Sequence, residues 1–193
     1  DGVEIGSKVT NIKVGDRVTV EPQVGCGECE MCKRGLVSLC SGKKVPGTPE
    51  WIGAFSEYFN ADEKTVYKLA DQTSYEMGTL AEPLAVAVHT VNHAETRTGG
   101  LVILGAGTIG QLILAVARKR GYSPIIVTDT AAFNREFAVK HGADAALDPV
   151  TENIPEKVKE MTGGRGADLA IIAAGADNIL DQACECVHKC GEI

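Results

Sequence analysis

Four cysteines fall between residues 26 and 40: Cys26, Cys29, Cys32 and Cys40, spaced C-x2-C-x2-C-x7-C. Four thiolates meet the demand of a closed tetrahedral zinc site. The short gaps turn neighbouring sulfurs inward onto one ion, and the longer gap closes the loop. With no open position, the zinc expected here is structural. Four thiolates around one Zn²⁺ leave a net negative charge. Lys33, Arg34, Lys43 and Lys44 can offset it, while Glu28 and Glu30 act against it. Two other readings compete. In an iron–sulfur ligand run the fourth Cys follows after three residues and precedes Pro; here the gap is longer and Ser41 follows. Four unrelated thiols are the plain alternative, which the spacing disfavours.

A second chemical feature is Gly105-Ala106-Gly107-Thr108-Ile109-Gly110, which fits G-x-G-x-x-G. Glycine is frequent in this chain, so the pattern alone is weak. Its setting strengthens it: a continuous apolar run, Leu101 to Leu104, precedes it, and helical spacing begins near Thr108. Gly105 permits a tight turn, Gly107 lets the backbone approach a pyrophosphate, and Gly110 lets helix and strand pack closely. The helix start at Thr108 and Ile109 offers free N–H groups to phosphate. Asp129 then ends the next expected strand. A carboxylate there accepts hydrogen bonds from ribose hydroxyls and repels a 2′-phosphate, so NAD is favoured over NADP. Capping the following helix is the bland role for Asp129. Arg135 is a candidate contact for the adenosine end and equally a solvated helix residue.

The elements around these residues change character along the chain. Residues 1–70 read as β-rich, with strands expected at 17–21, 55–59 and 65–69 and the cysteine loop at 25–42 between them. Helix formers occupy 75–92, with Pro83 near the start of a turn. Beyond residue 100, strands at 101–104, 125–127, 145–147 and 169–172 alternate with helices at 108–121, 131–141, 154–162 and 177–189. A further strand is expected to begin at Gly191. Such alternation predicts an α/β fold with a parallel sheet and helices on both faces. The domain boundary is expected between 85 and 98.

Bulk properties narrow the function. A net charge of −7 and a pI near 5.1 give little attraction for nucleic acid or an anionic membrane. No apolar run approaches the ~20 residues that span a bilayer, and no signal-peptide pattern opens the chain. Seven cysteines cannot all pair. Metal-like spacing without a secretion signal points to a reduced compartment, the cytoplasm. The start at Asp1 and the stop after Gly191-Glu192-Ile193 suggest a piece of a longer protein.

The chain resembles the zinc-containing medium-chain alcohol and polyol dehydrogenases, including sorbitol, iditol, butanediol and threonine dehydrogenases. The matching segments are Lys13 to Val18, Cys26 to Cys40, Leu80-Ala81-Glu82-Pro83-Leu84, Gly105 to Gly110, Asp129, and His141 to Asp144. The resemblance implies a GroES-like β-barrel catalytic domain over residues 1–90, with the structural zinc lobe at 25–42. A Rossmann NAD-binding domain, truncated at its C-terminal end, is implied over 91–193. It also implies a second, catalytic zinc in the full-length protein, with Glu82 as its ligand or near-ligand. The reaction implied is hydride transfer between a secondary alcohol or polyol and NAD, in a homodimer or homotetramer. The family's upstream Cys ligand and its Gly-His-Glu segment have no counterpart here, so this polypeptide alone is expected to be inactive. For Glu82 by itself, an exposed helix-start residue is the simpler reading.

His89 and His93 stand one helical turn apart, but nothing nearby completes a metal site. Cys184, Cys186 and Cys190 with His188 read as small buried residues plus a surface histidine. Trp51 can touch substrate or simply cover the barrel. The competing functions are a threonine or formaldehyde dehydrogenase, a zinc-loop binding module with a nucleotide-sensing domain, and a zinc-free quinone reductase relative.

Overall fold

The computed structural model describes all 193 residues, which divide into two compact units, Asp1–Glu82 and Pro83–Ile193. In the first, strand β1 (Val18–Val20) is followed by the short helix α1 (Glu30–Lys33). Strand β2 (Val66–Lys68) then pairs antiparallel with β1, Thr19 opposite Tyr67. The polar–apolar alternation read in the sequence matches these two strands. The strand expected at 55–59 is absent: that stretch is a series of bends, Phe55 is fully exposed, and no segment pairs with it. Alternation alone does not make a strand without a partner to satisfy its backbone groups. Only three apolar residues of this unit are buried, Cys40, Trp51 and Leu69.

The Lys13-to-Val18 motif has a structural reason. A tight turn joins Lys13 to Asp16, and the Asp16 carboxylate, only 7% exposed, accepts from the Lys13 N–H (3.1 Å) and from Lys68 Nζ (2.7 Å). The Lys68 ammonium, then the Lys13 N–H, hold the Asp16 carboxyl below its ordinary 3.8. A carboxyl so depressed stabilises the fold above its unfolded pKa and loses that contribution as pH falls through the lower folded value. Asp16→Asn is therefore expected to melt earlier than the parent at pH 7. The gap should close below about pH 3.8, as thermal melts across pH would show.

Helix α2 (Tyr75–Thr79), capped by the Ser74 hydroxyl, precedes α3 (Ala81–His93). The helix-forming stretch read at 75–92 is thus two helices. Pro83 has no N–H to offer the Thr79 carbonyl four residues back, and the break falls there.

The second unit follows as β3 (Gly99–Leu104), α4 (Thr108–Arg120), β4 (Tyr122–Thr128), α5 (Ala132–Lys140), β5 (Ala145–Leu147), α6 (Ile154–Met161), β6 (Ala167–Ile172), α7 (Ile179–Cys186) and β7 (Val187–Glu192). Its five strands lie in the order β5-β4-β3-β6-β7, all parallel. Successive β3 residues face opposite layers. Leu101 and Ile103 pack with Ile113, Leu114 and Ala117 of α4, while Val102 and Leu104 pack with Ile154 and Val158 of α6 and Ala183 of α7. This is the two-faced parallel sheet that the apolar runs predict. The helix expected to reach residue 189 instead stops at Cys186, and 187–192 forms the edge strand. Val187 takes an extended conformation and Cys190 a left-handed one, φ 70°. Cys184 and Cys190 therefore sit on different elements and gather no metal-like cluster.

Because β4 lies on one side of β3 and β6 on the other, the chain reverses direction of travel at the end of β3. In open parallel sheets that switch point is where ligands bind.

Candidate zinc lobe and nucleotide cradle

The cysteine loop folds so that its four sulfurs all lie within 4.8 Å of one another. Cys26 and Cys32 Sγ are 4.0 Å apart. A tetrahedron of Zn–S bonds of ~2.3 Å places sulfurs about 3.8 Å apart. The cage thus fits one ion and is too small for a multi-iron core. Local structure aims the sulfurs. Cys29 caps α1, its Sγ accepting from the Cys32 N–H (3.4 Å); Cys26 Sγ accepts from the Cys29 N–H (3.4 Å), and Cys40 Sγ from the Cys26 N–H (3.5 Å). Such N–H donors favour thiolates and orient them, as outer partners of a metal site do. Gly25 completes the wall. A Cβ there would lie 2.7 Å from Cys32 Sγ, a constraint the spacing alone did not reveal.

Ionisation is uneven within the cage. The N–H groups of Glu28 and Cys29, with the thiols of Cys40 and Cys29, hold Cys26 down to about 6. For Cys32 the Gly27 N–H favours the thiolate, but loss of water and the other three thiols outweigh it and push the group up to about 12. One negative sulfur resists the next, and a dication removes that repulsion. Among the basic residues expected to help, Arg34 pairs with Glu30 (3.4 Å) and Lys43 donates to the Ser38 carbonyl (2.5 Å).

The glycine-rich turn lies at the switch point. Gly105 adopts φ +112°, and a Cβ on it would meet the Ala173 backbone at 2.9 Å. At Gly110 a Cβ would stand 1.9 Å from the Gly105 carbonyl oxygen. Gly107 is different: exposed, at φ −68°, with nothing within 4 Å of its added Cβ. Two of the glycines make the turn, and the middle one leaves open space in front of the start of α4. Gly107 caps α4 without a side chain, Thr108 is exposed and Ile109 half-buried. The first helical bond runs from Gln111 N–H to the Gly107 carbonyl, so the N–H groups before it are free for an anion.

Asp129 stands at the end of β4 beside this turn. Its Oδ2 accepts from the Ala106 N–H (2.9 Å) and its Oδ1 from the Ala131 N–H (2.8 Å). Desolvation raises its carboxyl, but the Ala131 and Ala106 N–H groups, the Asn134 side chain and the Arg135 charge outweigh it and hold the carboxyl below the usual range. The cap-like bond does not exhaust the carboxylate, since each oxygen keeps a second lone pair. Arg135 is engaged locally, with Asp148 (3.2 Å) and the carbonyls of Asp129 (2.7 Å) and Thr130 (2.9 Å). Gln111 was missed in the sequence. Its amide Nε2 donates to the Ala106 carbonyl (3.1 Å) and the Asn134 carbonyl (2.9 Å). The available signal was a polar residue one place after the glycine motif, beside an apolar helix stripe.

Glu82 is exposed in the first turn of α3 and joins no metal-like cluster; the four cysteines form the one group of that kind. His89 and His93 are exposed and stack at 5.7 Å. Trp51 stacks on Phe59 at 5.5 Å and donates to the Asn60 carbonyl, which fits a covering role.

Comparison with known proteins follows the same two features. The family described as "Alcohol dehydrogenase GroES-like domain" matches residues 3–71, and "Zinc-binding dehydrogenase" matches residues 108–193. D-xylulose reductase A of Aspergillus oryzae is 39% identical over 90% of this chain and 50% of its own length. L-threonine 3-dehydrogenase of Pyrococcus horikoshii is 37% identical over 99% of this chain and 55% of its own. The solved structure of an Escherichia coli oxidoreductase/dehydrogenase of unknown specificity superposes with a TM-score of 0.92 and 34% identity, over 98% of this chain and 55% of that one. The chain thus spans about half the length of the curated relatives it matches. It belongs to the zinc-binding medium-chain alcohol and polyol dehydrogenases.

Proposed function

We propose that the protein carrying this chain transfers hydride between a secondary alcohol or polyol and NAD. The observation that carries this is the open cradle at Gly107, with the Asp129 carboxylate bonded to the same turn. Residues 1–90 act as the catalytic part and 91–193 as the cofactor part. Cys26, Cys29, Cys32 and Cys40 hold a structural zinc. Gly105, Gly107, Thr108, Ile109 and Gly110 form the pyrophosphate cradle, and Asp129 takes the ribose hydroxyls. Arg135, held by Asp148, shapes the adenosine end and does not reach for a 2′-phosphate. Glu82 contributes beside the catalytic zinc. When bound, that zinc supplies Lewis acidity to the alcohol oxygen and NAD accepts the hydride. The resemblance to this family supports a homodimer or homotetramer, and the metal-like spacing of unpaired cysteines supports a reducing compartment, the cytoplasm.

The substrate has two readings within this chemistry. Similarity to D-xylulose reductase A supports a polyol, and similarity to L-threonine 3-dehydrogenase supports a hydroxy amino acid.

Cofactor choice is the direct test. Titration calorimetry should show NADH binding at least about tenfold tighter than NADPH, because Asp129 repels the added phosphate. Asp129→Asn should narrow that gap chiefly by weakening NADH. Equal affinities for both cofactors in the parent chain would refute the assignment of Asp129.

A further inference from the structure

We infer that Gln111 is a positioning residue that ties the pyrophosphate cradle to the ribose-binding side of the site, an inference that rests on the dinucleotide reading above. A chain of hydrogen bonds links four residues, Asp129, Ala106, Gln111 and Asn134. The Ala106 N–H donates to Asp129 Oδ2, and the Ala106 carbonyl accepts from Gln111 Nε2. The same Nε2 donates to the Asn134 carbonyl of α5, the helix that begins just after Asp129. Ala106, which leads directly into Gly107, is therefore held through both of its flanking peptide groups. Asp129 fixes its nitrogen and Gln111 its oxygen. Neither Gly105 nor Gly110 does this, since they act by leaving room.

The cost of this arrangement marks it as a positioning device. Gln111 Oε1 is buried and has no hydrogen-bond partner. A buried acceptor without a partner opposes folding, and a side chain chosen for stability alone in the first turn of an apolar helix would carry no such atom. What Gln111 provides is two N–H donors to two carbonyls of separate segments, the cradle and α5. The cradle's orientation then depends on Gln111, while Asp129 keeps a second anchor at Ala131.

The test is Gln111→Met in the 193-residue chain. Methionine keeps length and volume, removes both donors and removes the buried oxygen. The melting temperature should stay within a few degrees of the parent, because a lost pair of bonds is offset by relief of the unpaired acceptor. ADP-ribose, which needs the cradle, should bind about tenfold more weakly, ~1.4 kcal/mol. Adenosine, which reaches only the Asp129 side, should change by less than about twofold. Ile113→Val, a buried packing change on the same helix, should leave both affinities intact. A parent-like ADP-ribose affinity in Gln111→Met overturns the inference, as does an equal loss for both ligands. A Gln111→Met chain that does not fold overturns it too, in favour of a purely structural role. A folded parent chain that binds no ADP-ribose overturns the dinucleotide reading, and Gln111's role with it.

Discussion

Gly110→Ala destabilises the second unit by about 3 kcal/mol or more, whereas Gly107→Ala leaves its melting unchanged and weakens NADH about tenfold. The two substitutions add the same methyl group to the same glycine motif, three residues apart. At Gly110 that methyl lands 1.9 Å from the Gly105 carbonyl oxygen, a backbone atom that cannot swing aside. Helix α4 must then lift from β3, where Ile113, Leu114 and Ala117 are fully packed. At Gly107 the conformation suits any residue and the space in front is empty, so the protein alone does not register the change. Only a ligand whose phosphates press against that backbone does. Thermal melts and NADH titration of the two variants separate the roles. Parent-like NADH binding by Gly107→Ala would show that no pyrophosphate lies against this turn.

That contrast also shows how far the sequence was readable. The glycine spacing and the apolar runs were enough to place β3, α4 and β4, because buried parallel strands and the helices covering them follow hydrophobic periodicity. The cysteine spacing was enough to foresee converging sulfurs. What escaped was set by tertiary partners. The stretch at 55–59 alternates like a strand but finds nothing to pair with. The end of α7 continues a helical composition, yet β6 offers an open edge, and 187–192 takes it. Gln111 gives only the faint signal of a polar residue after the glycine motif, because its partners are carbonyls of other segments. Arg135 stayed open between an adenosine contact and a solvated helix residue because its partner Asp148 is distant in sequence and adjacent in space.

Removing the metal from the cysteine cage is expected to unfold most of the first unit and leave the second standing. The reason is how little else holds residues 1–82 together. Its two strands are three residues each, and of its apolar side chains only Cys40, Trp51 and Leu69 are buried. A core that small supplies a few kcal/mol at most, whereas structural zinc binding is worth roughly 10–16 kcal/mol at neutral pH. The second unit has its own two-layered core around β3 and needs no ion. The purified chain should therefore retain about one zinc through dialysis. Chelator should remove it far more readily at pH 5 than at pH 7.5, because protons compete with the metal for the thiolates. Hydrogen exchange after stripping should show protection lost across the cysteine loop and β1–β2, with β3, β4 and β6 unchanged. Cys40→Ser, at the one fully buried ligand, should reproduce the stripped state even with zinc present. Retained protection in the first unit of a metal-free Cys40→Ser chain would mean that packing, and not the ion, holds this lobe.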